Sequence, residues 1–250
     1  MVEVGELNEY CESLLGSQGV QDYCPNGLQV EGVRPVRRLM TGVTACQALL
    51  EAAAHWEADA VLVHHGYFWK GEAPALTGIK ARRIRTLMRA GMSLFTYHLP
   101  LDVHPDLGNN RRLGDRLGIV TPQPVEASDG LLWAGRLPRA LLAAELAEHV
   151  AAVLGRAPTY VAGHRRPVAT VAWCTGAAQG WIERAANLGV DAFISGEISE
   201  QTAHQARELG LDYVAAGHHA TERYGVQALG EHLAERFALL QCFVDIDNPA

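Results

Sequence analysis

Short apolar runs alternate with stretches of helical spacing along most of the chain. The run at residues 60–63, Ala-Val-Leu-Val, is uninterrupted and has the length of a strand, and 192–194, Ala-Phe-Ile, is similar. Continuous apolar runs of this length are typical of parallel strands that are buried on both faces. Because helical stretches follow these runs, the order of elements predicts an α/β protein.

The pattern occurs twice, which favours a duplicated unit. The first copy begins at 38–42, reaches 59–65, and continues through a helix at 80–90 to a strand that ends at His98. The second begins at 172–176, reaches 191–197, and continues through a helix at 200–209 to a strand that ends at His218. A carboxylate follows each terminal histidine by four positions, Asp102 and Glu222. We interpret the chain as duplicated βαβ-type units related by a pseudo-two-fold axis. The alternative is that βαβ units resemble one another through shared physics alone.

The repeat sets the expected domain organisation. Residues 1–125 are predicted to form a first α/β lobe and residues 126–250 a second. Residues 121–167 separate the two copies and contain one helical stretch at 138–154, flanked by proline and glycine. We therefore expect a short linker segment there, with some structure of its own, and no third large domain.

Composition and charge exclude several classes of protein. The net charge is −7 without a basic run, so there is no strong nucleic-acid signal. No apolar stretch approaches the roughly 20 residues of a membrane helix, and the N-terminus lacks a signal-peptide core. The five cysteines are odd in number and scattered, without a CxxC pair or a matching histidine pattern. We expect a soluble cytoplasmic protein, without a nucleophilic cysteine and without a thiol near the candidate site.

Imidazole and carboxylate groups lie where the predicted strands end, which is where α/β sheets usually bind ligands. Histidine and carboxylate without thiolate suit Zn, Fe, Mn, Co or Ni. A carboxylate can also bridge two such ions, which then activate a water molecule. We expect the site between the two copies, with His98 and Glu197 as candidate proton-transferring catalytic residues. The candidate metal ligands are His64, His65, Asp102, His218 and Glu222.

Each of these candidates also has a purely structural interpretation. His64 and His65 fit buried polar residues that are hydrogen-bonded at a strand end. Asp102 fits turn chemistry among prolines, and Glu222 fits a carboxylate that stabilises a helix N-terminus. His98 fits either a ligand or a residue that orients one. Residues 26–29, Asn-Gly-Leu-Gln, are typical of a turn into a strand.

Five motifs extend over nearly the whole chain: residues 25–32, 64–71, 97–110, 195–197 and 216–223. Together they resemble the NIF-three-like family, also labelled GTP cyclohydrolase type 2 homologues. The resemblance is closest to the short bacterial, YbgI-type dinuclear metal-binding members. It implies a NIF-three-like fold, a toroidal homohexamer with an inner cavity and two divalent transition-metal ions per chain. It also implies the ligand set His64, His65, Asp102, His218 and Glu222.

Two functions remain open. The cyclohydrolase label follows from the resemblance alone. The ligand set favours metal-activated water that attacks a phosphoester, amide or ring C–N bond in a small, nucleotide-like substrate. A metal-dependent hydrolase is therefore the first hypothesis, with Glu197 or His98 moving protons. The alternative is a non-catalytic hexameric assembly that binds or delivers metal.

Overall fold

The computed structural model describes all 250 residues. The strands are β1 (Gly27–Val30), β2 (Arg38–Thr44), β3 (Ala60–His65), β4 (Ser93–Thr96), β5 (Val120–Pro124), β6 (Trp133–Leu141), β7 (Thr159–Val161), β8 (Val168–Cys174), β9 (Ala192–Ser195), β10 (Asp212–Ala215) and β11 (Leu240–Phe243). The helices are α1 (Val4–Leu15), α2 (Gln47–His55), α3 (Gly78–Ala90), α4 (Leu99–Val103), α5 (Asn109–Arg116), α6 (Ala143–Leu154), α7 (Ile182–Asn187), α8 (Glu200–Leu209), α9 (His218–Thr221) and α10 (Arg223–Phe237). No helix is both long and apolar enough to cross a membrane.

The chain divides into two compact units. The first consists of Met1–Leu101 with Gly225–Asp247, and the second of Asp102–Tyr224 with Asn248–Ala250. This division differs from the lobes expected from the sequence, which were separated at residue 125. It falls inside α4, and the C-terminal strand β11 returns to the first unit because it pairs in parallel with β2.

The first unit contains a five-stranded sheet in the order β1-β4-β3-β2-β11. Strands β2, β3 and β4 are parallel, and β1 runs antiparallel to β4. Every residue of β3 from Ala60 to His64 is buried, which is the burial that its continuous apolar sequence predicts. Packed against this sheet, α2 buries Leu49 and Leu50 and α3 buries Leu87 in one apolar cluster.

The second unit repeats this arrangement inside a six-stranded sheet, in the order β5-β6-β8-β9-β10-β7. Strands β8, β9 and β10 are parallel and β7 runs antiparallel to β10, so β7-β10-β9-β8 has the order and directions of β1-β4-β3-β2. The outer strands differ, since β11 extends the first sheet and β6 and β5 extend the second. The expected α/β fold with duplicated units is confirmed, and the repeat begins one strand earlier than the sequence indicated.

The segment expected to be a linker contributes directly to the second sheet. It supplies β5, β6 and β7, together with α6, whose side chains Leu146 and Val150 are buried in the apolar core. Strand β7 is the counterpart of β1. Its three residues are too few to show the period-two pattern by which strands are recognised, so it could not be predicted from the sequence.

Strand register corrects the alignment of the two copies by two residues. Leu39 pairs with Ala60 and Val171 pairs with Ala192, a separation of 21 positions in both units. Matching the ranges 38–42 and 172–176 end to end would instead pair the Thr-Gly dipeptides at 41–42 and 175–176. These pairs are not equivalent, because Gly42 lies inside β2 whereas Gly176 follows β8 with a positive φ of 67°.

Asp59 and Asp191 show the duplication at the level of hydrogen bonds. Each precedes the central strand of its unit, β3 or β9, and its Oδ2 atom accepts two backbone hydrogen bonds at the start of the neighbouring strand, 2.9–3.0 Å long. The donors are the N–H groups of Arg37 and Arg38 in the first unit and of Ala169 and Thr170 in the second. Both carboxylates thus join two parallel strands that have no hairpin between them.

Candidate metal-binding residues

His64 and His65 end β3 in the first unit, and their ring centroids lie only 4.6 Å apart. The Nδ1 atom of buried His64 lies 2.9 Å from the backbone oxygen of Tyr97. A carbonyl oxygen only accepts hydrogen bonds, so Nδ1 carries the proton and Nε2 keeps the lone pair that a metal requires. His65 is partly exposed, and its Nδ1 atom lies 3.2 Å from Thr44 Oγ1.

Gly66 lets the chain leave β3 without a side chain at a crowded point. A Cβ atom there would collide with the Thr96 hydroxyl and with the side-chain oxygen of Gln29. Gln29 also brackets the next residue, because its amide oxygen accepts from Tyr67 N at 2.7 Å and its nitrogen donates to Tyr67 O at 3.0 Å. The motif predicted as a simple turn into a strand therefore also holds the backbone beyond the two histidines.

His98 joins these two histidines. One potential ligand atom from each of His64, His65 and His98 lies within 4.8 Å of the other two. The Nδ1 atom of His98 is 2.7 Å from Asp22 Oδ1, and the His98 backbone N–H donates to Asn26 Oδ1 at 2.7 Å. Sequence reasoning missed Asp22 and this role of Asn26, because both lie more than 70 positions away along the chain.

The Asp22 carboxylate is held in its charged form. Burial disfavours the charge, but hydrogen bonds from His98 and Asn26 outweigh that effect and lower the pKa of Asp22 to about 2. Asp22 therefore accepts hydrogen bonds and cannot donate one at any pH near neutrality.

A thiol also lies close to this group, contrary to the expectation from the sequence. Ligand atoms of Asp22, Cys24 and His98 lie within 4.8 Å of one another. Burial, together with the Asp22 charge, raises the pKa of the Cys24 thiol to about 12. A thiol with that pKa remains protonated near neutral pH.

Asp102 lies at the N-terminal edge of the second unit and is buried, which the turn interpretation does not require. Its Oδ1 atom accepts from Asn109 Nδ2 at 2.9 Å and from Thr175 Oγ1 at 3.3 Å. A carboxylate oxygen of Asp102 also lies within 4.8 Å of one from Glu222. Two fixed donors therefore orient a buried carboxylate that lies next to a second one.

Glu222 and Glu197 bracket His218 in the same unit. His218 Nε2 is 3.1 Å from Glu222 Oε2, and its Nδ1 is 2.7 Å from Glu197 Oε1. Burial disfavours the charged imidazole, but hydrogen bonds and charges from both glutamates outweigh it and raise the pKa of His218 to about 9. Glu222 lies between α9 and α10, directly before the first residue of α10, so its position agrees with the interpretation as a carboxylate at a helix N-terminus as well as with a ligand.

Gly176 makes room for this pair. Its φ of 67° lies in the left-handed region, and a Cβ atom would collide with the Glu222 carboxylate and come close to His218. The loop after β8 thus passes directly against the two side chains.

Comparison with known proteins identifies the family of the chain. The profile of the Duf34/NIF3 (NGG1p interacting factor 3) family matches residues 2–249. The chain belongs to the Duf34/NIF3 family. A relative from Allochromatium vinosum named "GTP cyclohydrolase 1 type 2 homolog" is 60% identical over 250 residues, covering 100% of this chain and 98% of that protein. The family expected from the motifs is confirmed.

Solved Duf34/NIF3 structures confirm the fold. A structure titled "Structural genomics, protein ybgI, unknown function" superposes with a TM-score of 0.96 at 50% identity and full coverage of both chains. The protein TTHA1606 from Thermus thermophilus superposes with a TM-score of 0.90 at 34% identity, again with full coverage of both.

The donor set of this Duf34/NIF3 chain fits a divalent transition metal. The first unit brings together three imidazoles, and the second brings together one imidazole and two carboxylates. Neutral imidazole and carboxylate oxygen are the ligands that Zn, Fe, Mn, Co and Ni accept.

Proposed function

We propose that this Duf34/NIF3 protein binds two divalent transition-metal ions per chain and hydrolyses a small substrate with them. The observation that carries the proposal is the grouping of imidazoles at the end of β3, with His64 fixed by Tyr97 so that Nε2 keeps its lone pair. The proposed ligands are His64, His65, Asp102, His218 and Glu222.

The protein side chains supply orientation. Asn109 and Thr175 hold one oxygen of Asp102, and Glu197 holds Nδ1 of His218, so Nε2 of that ring points toward Glu222. Orienting contacts of this kind are typical of metal-ligating residues. Bound divalent ions would make water nucleophilic near neutral pH.

The substrate class follows from this chemistry. Metal-activated water attacks electrophilic phosphorus or carbon, so the candidate substrates are phosphoesters, amides and ring C–N bonds in small, nucleotide-like molecules. Relatives of this chain are named as homologues of a GTP cyclohydrolase. Hydrolysis of a ring C–N bond is one of the reactions that metal-activated water can perform. We propose His98 and Glu197 as catalytic residues that accept and return protons. Glu197 suits this role because its side chain is 39% exposed and can exchange protons with solvent.

Metal content per chain tests the proposal first. Elemental analysis of untagged protein should give about two transition-metal ions per chain. His64→Ala and Glu222→Ala should lose metal, while His55→Ala, which changes an exposed histidine at the end of α2, should keep it. Absence of metal in the wild-type protein, or full occupancy in both variants, would contradict the metal site.

Activity is tested separately, with fully metal-loaded protein and a panel of nucleotides, phosphodiesters and cyclic amides. Turnover should require metal and disappear in His64→Ala. Two bound ions without turnover on any member of the panel would replace the hydrolase with the alternative, a non-catalytic assembly that binds or delivers metal. For either function we propose a toroidal homohexamer, which the family resemblance supports and native mass spectrometry tests.

A further inference from the structure

Asp22 occupies a position in which every neighbour donates to it. Its Oδ1 atom accepts from Tyr23 N at 2.6 Å and faces His98 Nδ1 at 2.7 Å, and its Oδ2 atom accepts from Asn26 Nδ2 and Leu99 N, both at 2.9 Å. The carboxylate is almost fully shielded, with 3% of the side chain exposed. Four donors thus converge on a buried group that has no proton to give.

Three of these four donors cannot change their role. Tyr23 and Leu99 offer backbone N–H groups, which only donate. The amide of Asn26 is fixed as well, because its oxygen accepts from the His98 backbone and its nitrogen must therefore face Asp22. Only the imidazole of His98 has a choice of tautomer. Because the Asp22 carboxylate can only accept hydrogen bonds, the His98 ring must carry its proton on Nδ1.

The second unit contains the same device, built from a different part of the chain. His98 lies two residues beyond the end of β4 and His218 lies three residues beyond the end of β10, and each Nδ1 atom lies 2.7 Å from a carboxylate oxygen. The carboxylates are not equivalent, since Asp22 precedes β1 whereas Glu197 follows β9. A contact inherited from the duplication would use equivalent residues. Its independent construction in the two units indicates that the orientation of both rings matters.

We propose that Asp22 is a positioning residue that holds His98 in the Nδ1–H tautomer, so that His98 presents the lone pair of Nε2 as a proton acceptor. The assignment of the His98 tautomer depends only on the contacts of Asp22. The use of the Nε2 lone pair in catalysis rests on the proposed hydrolase function. Asp22 itself touches no reacting atom, and its effect passes through His98.

Nitrogen NMR of the histidine rings tests the tautomer without any substrate. Protein labelled with ¹⁵N-histidine is measured free of metal at about pH 9, where an unperturbed imidazole is neutral. His98→Gln assigns the signals. In the wild-type protein, His98 should show a protonated Nδ1 and an unprotonated Nε2, with the Nδ1–H form in excess by about tenfold or more. A dominant Nε2–H form, or protons on both nitrogens, would overturn the proposal.

Asp22→Asn is the decisive variant because an amide can donate. Its oxygen should turn toward Leu99 and Asn26, because they offer two fixed donors against the single one from Tyr23, and its NH2 group then faces His98. The Nε2–H tautomer should then become the major form. Asp115→Asn, which changes an exposed carboxylate paired with Arg111, is the matched control and should leave His98 unchanged. An unchanged His98 tautomer in correctly folded Asp22→Asn would overturn the proposal. If this variant does not fold, the wild-type spectrum still decides.

Metal content and turnover then separate the two proposals. Asp22→Asn should keep the metal content of the wild-type protein, and on any substrate found its kcat should fall about 10- to 100-fold. Asp22→Glu should recover part of that loss, because it restores an acceptor. Loss of metal from folded Asp22→Asn would contradict the proton-acceptor role and assign His98 as a ligand. Failure of the wild-type protein to bind metal would remove the hydrolase while leaving the tautomer intact.

Discussion

The imidazole of His218 lies between two carboxylates, 2.7 Å from Glu197 and 3.1 Å from Glu222. In metal-free protein this arrangement stabilises the imidazolium, whereas a ligating histidine must be neutral at the nitrogen that binds. With His218 as a proposed ligand, metal uptake and protonation would therefore compete for the same ring.

The first prediction concerns the stability of metal-free protein. The pKa of His218 is raised from 6.5 to about 9, so its contribution to stability is fully present below pH 6.5 and is lost as the pH rises through about 9. Urea unfolding of chelator-treated protein should show the free energy of unfolding falling across that interval. Glu197→Gln removes one of the two charges and should flatten the decline.

Glu208→Gln is the matched control for this prediction, because it removes an exposed carboxylate in α8. Its pH dependence should follow that of the wild-type protein. Equal slopes in all three proteins would show that the contact between His218 and Glu197 contributes nothing to the dependence.

Sequence and structure agree where the signal is local. The apolar run before His64 predicts a buried strand, and the histidines follow it directly, so their place at a sheet end could be anticipated. Asp22 could not be found in this way. It contacts His98 from 76 positions away, and its neighbours, Gln21 and Tyr23, are exposed residues without a recognisable period. Only the folded chain brings it to the imidazole.

The second prediction uses the two equivalent aspartates. Asp59→Ala should lower the free energy of unfolding by ~1–3 kcal/mol, because two backbone donors lose a charged acceptor in a buried place. Asp191→Ala should cost less, since Asp191 is only half-buried and water can replace the carboxylate. Chemical denaturation measures both, with Asp115→Ala as an exposed control. The reverse order of the two losses would contradict burial as the cause.

The third prediction concerns Cys24. With a pKa of about 12, its thiol should resist alkylation near neutral pH, because the thiolate is the reactive form. Limited treatment with iodoacetamide followed by peptide mass spectrometry should label the partly exposed Cys46 and Cys242 before Cys24. Early labelling of Cys24 in folded protein would show that it is an accessible thiolate. Cys24 would then be a candidate nucleophile or ligand beside His98.

The fourth prediction tests the crowded exit from β3. In Gly66→Ala the added methyl group meets the Thr96 hydroxyl and the Gln29 amide oxygen, so one of them must move. Because Gln29 also holds both backbone polar groups of Tyr67, the displacement should reach the segment that follows His65. We expect a loss of ~1–3 kcal/mol in the free energy of unfolding, the range typical of overpacking.

A glycine without neighbours separates this steric effect from the general effect of adding a methyl group. Gly5 lies near the start of α1 with no atom within 4 Å of the position a Cβ would take. Gly5→Ala should therefore be neutral or stabilise by up to ~1 kcal/mol, because alanine favours the helix and restricts the unfolded chain. Urea unfolding compares the two variants, and elemental analysis asks whether Gly66→Ala also loses metal. If Gly66→Ala and Gly5→Ala were equally stable, Thr96 and Gln29 would move aside at little cost in free energy. Gln29 would then not hold the backbone beyond the two histidines in place.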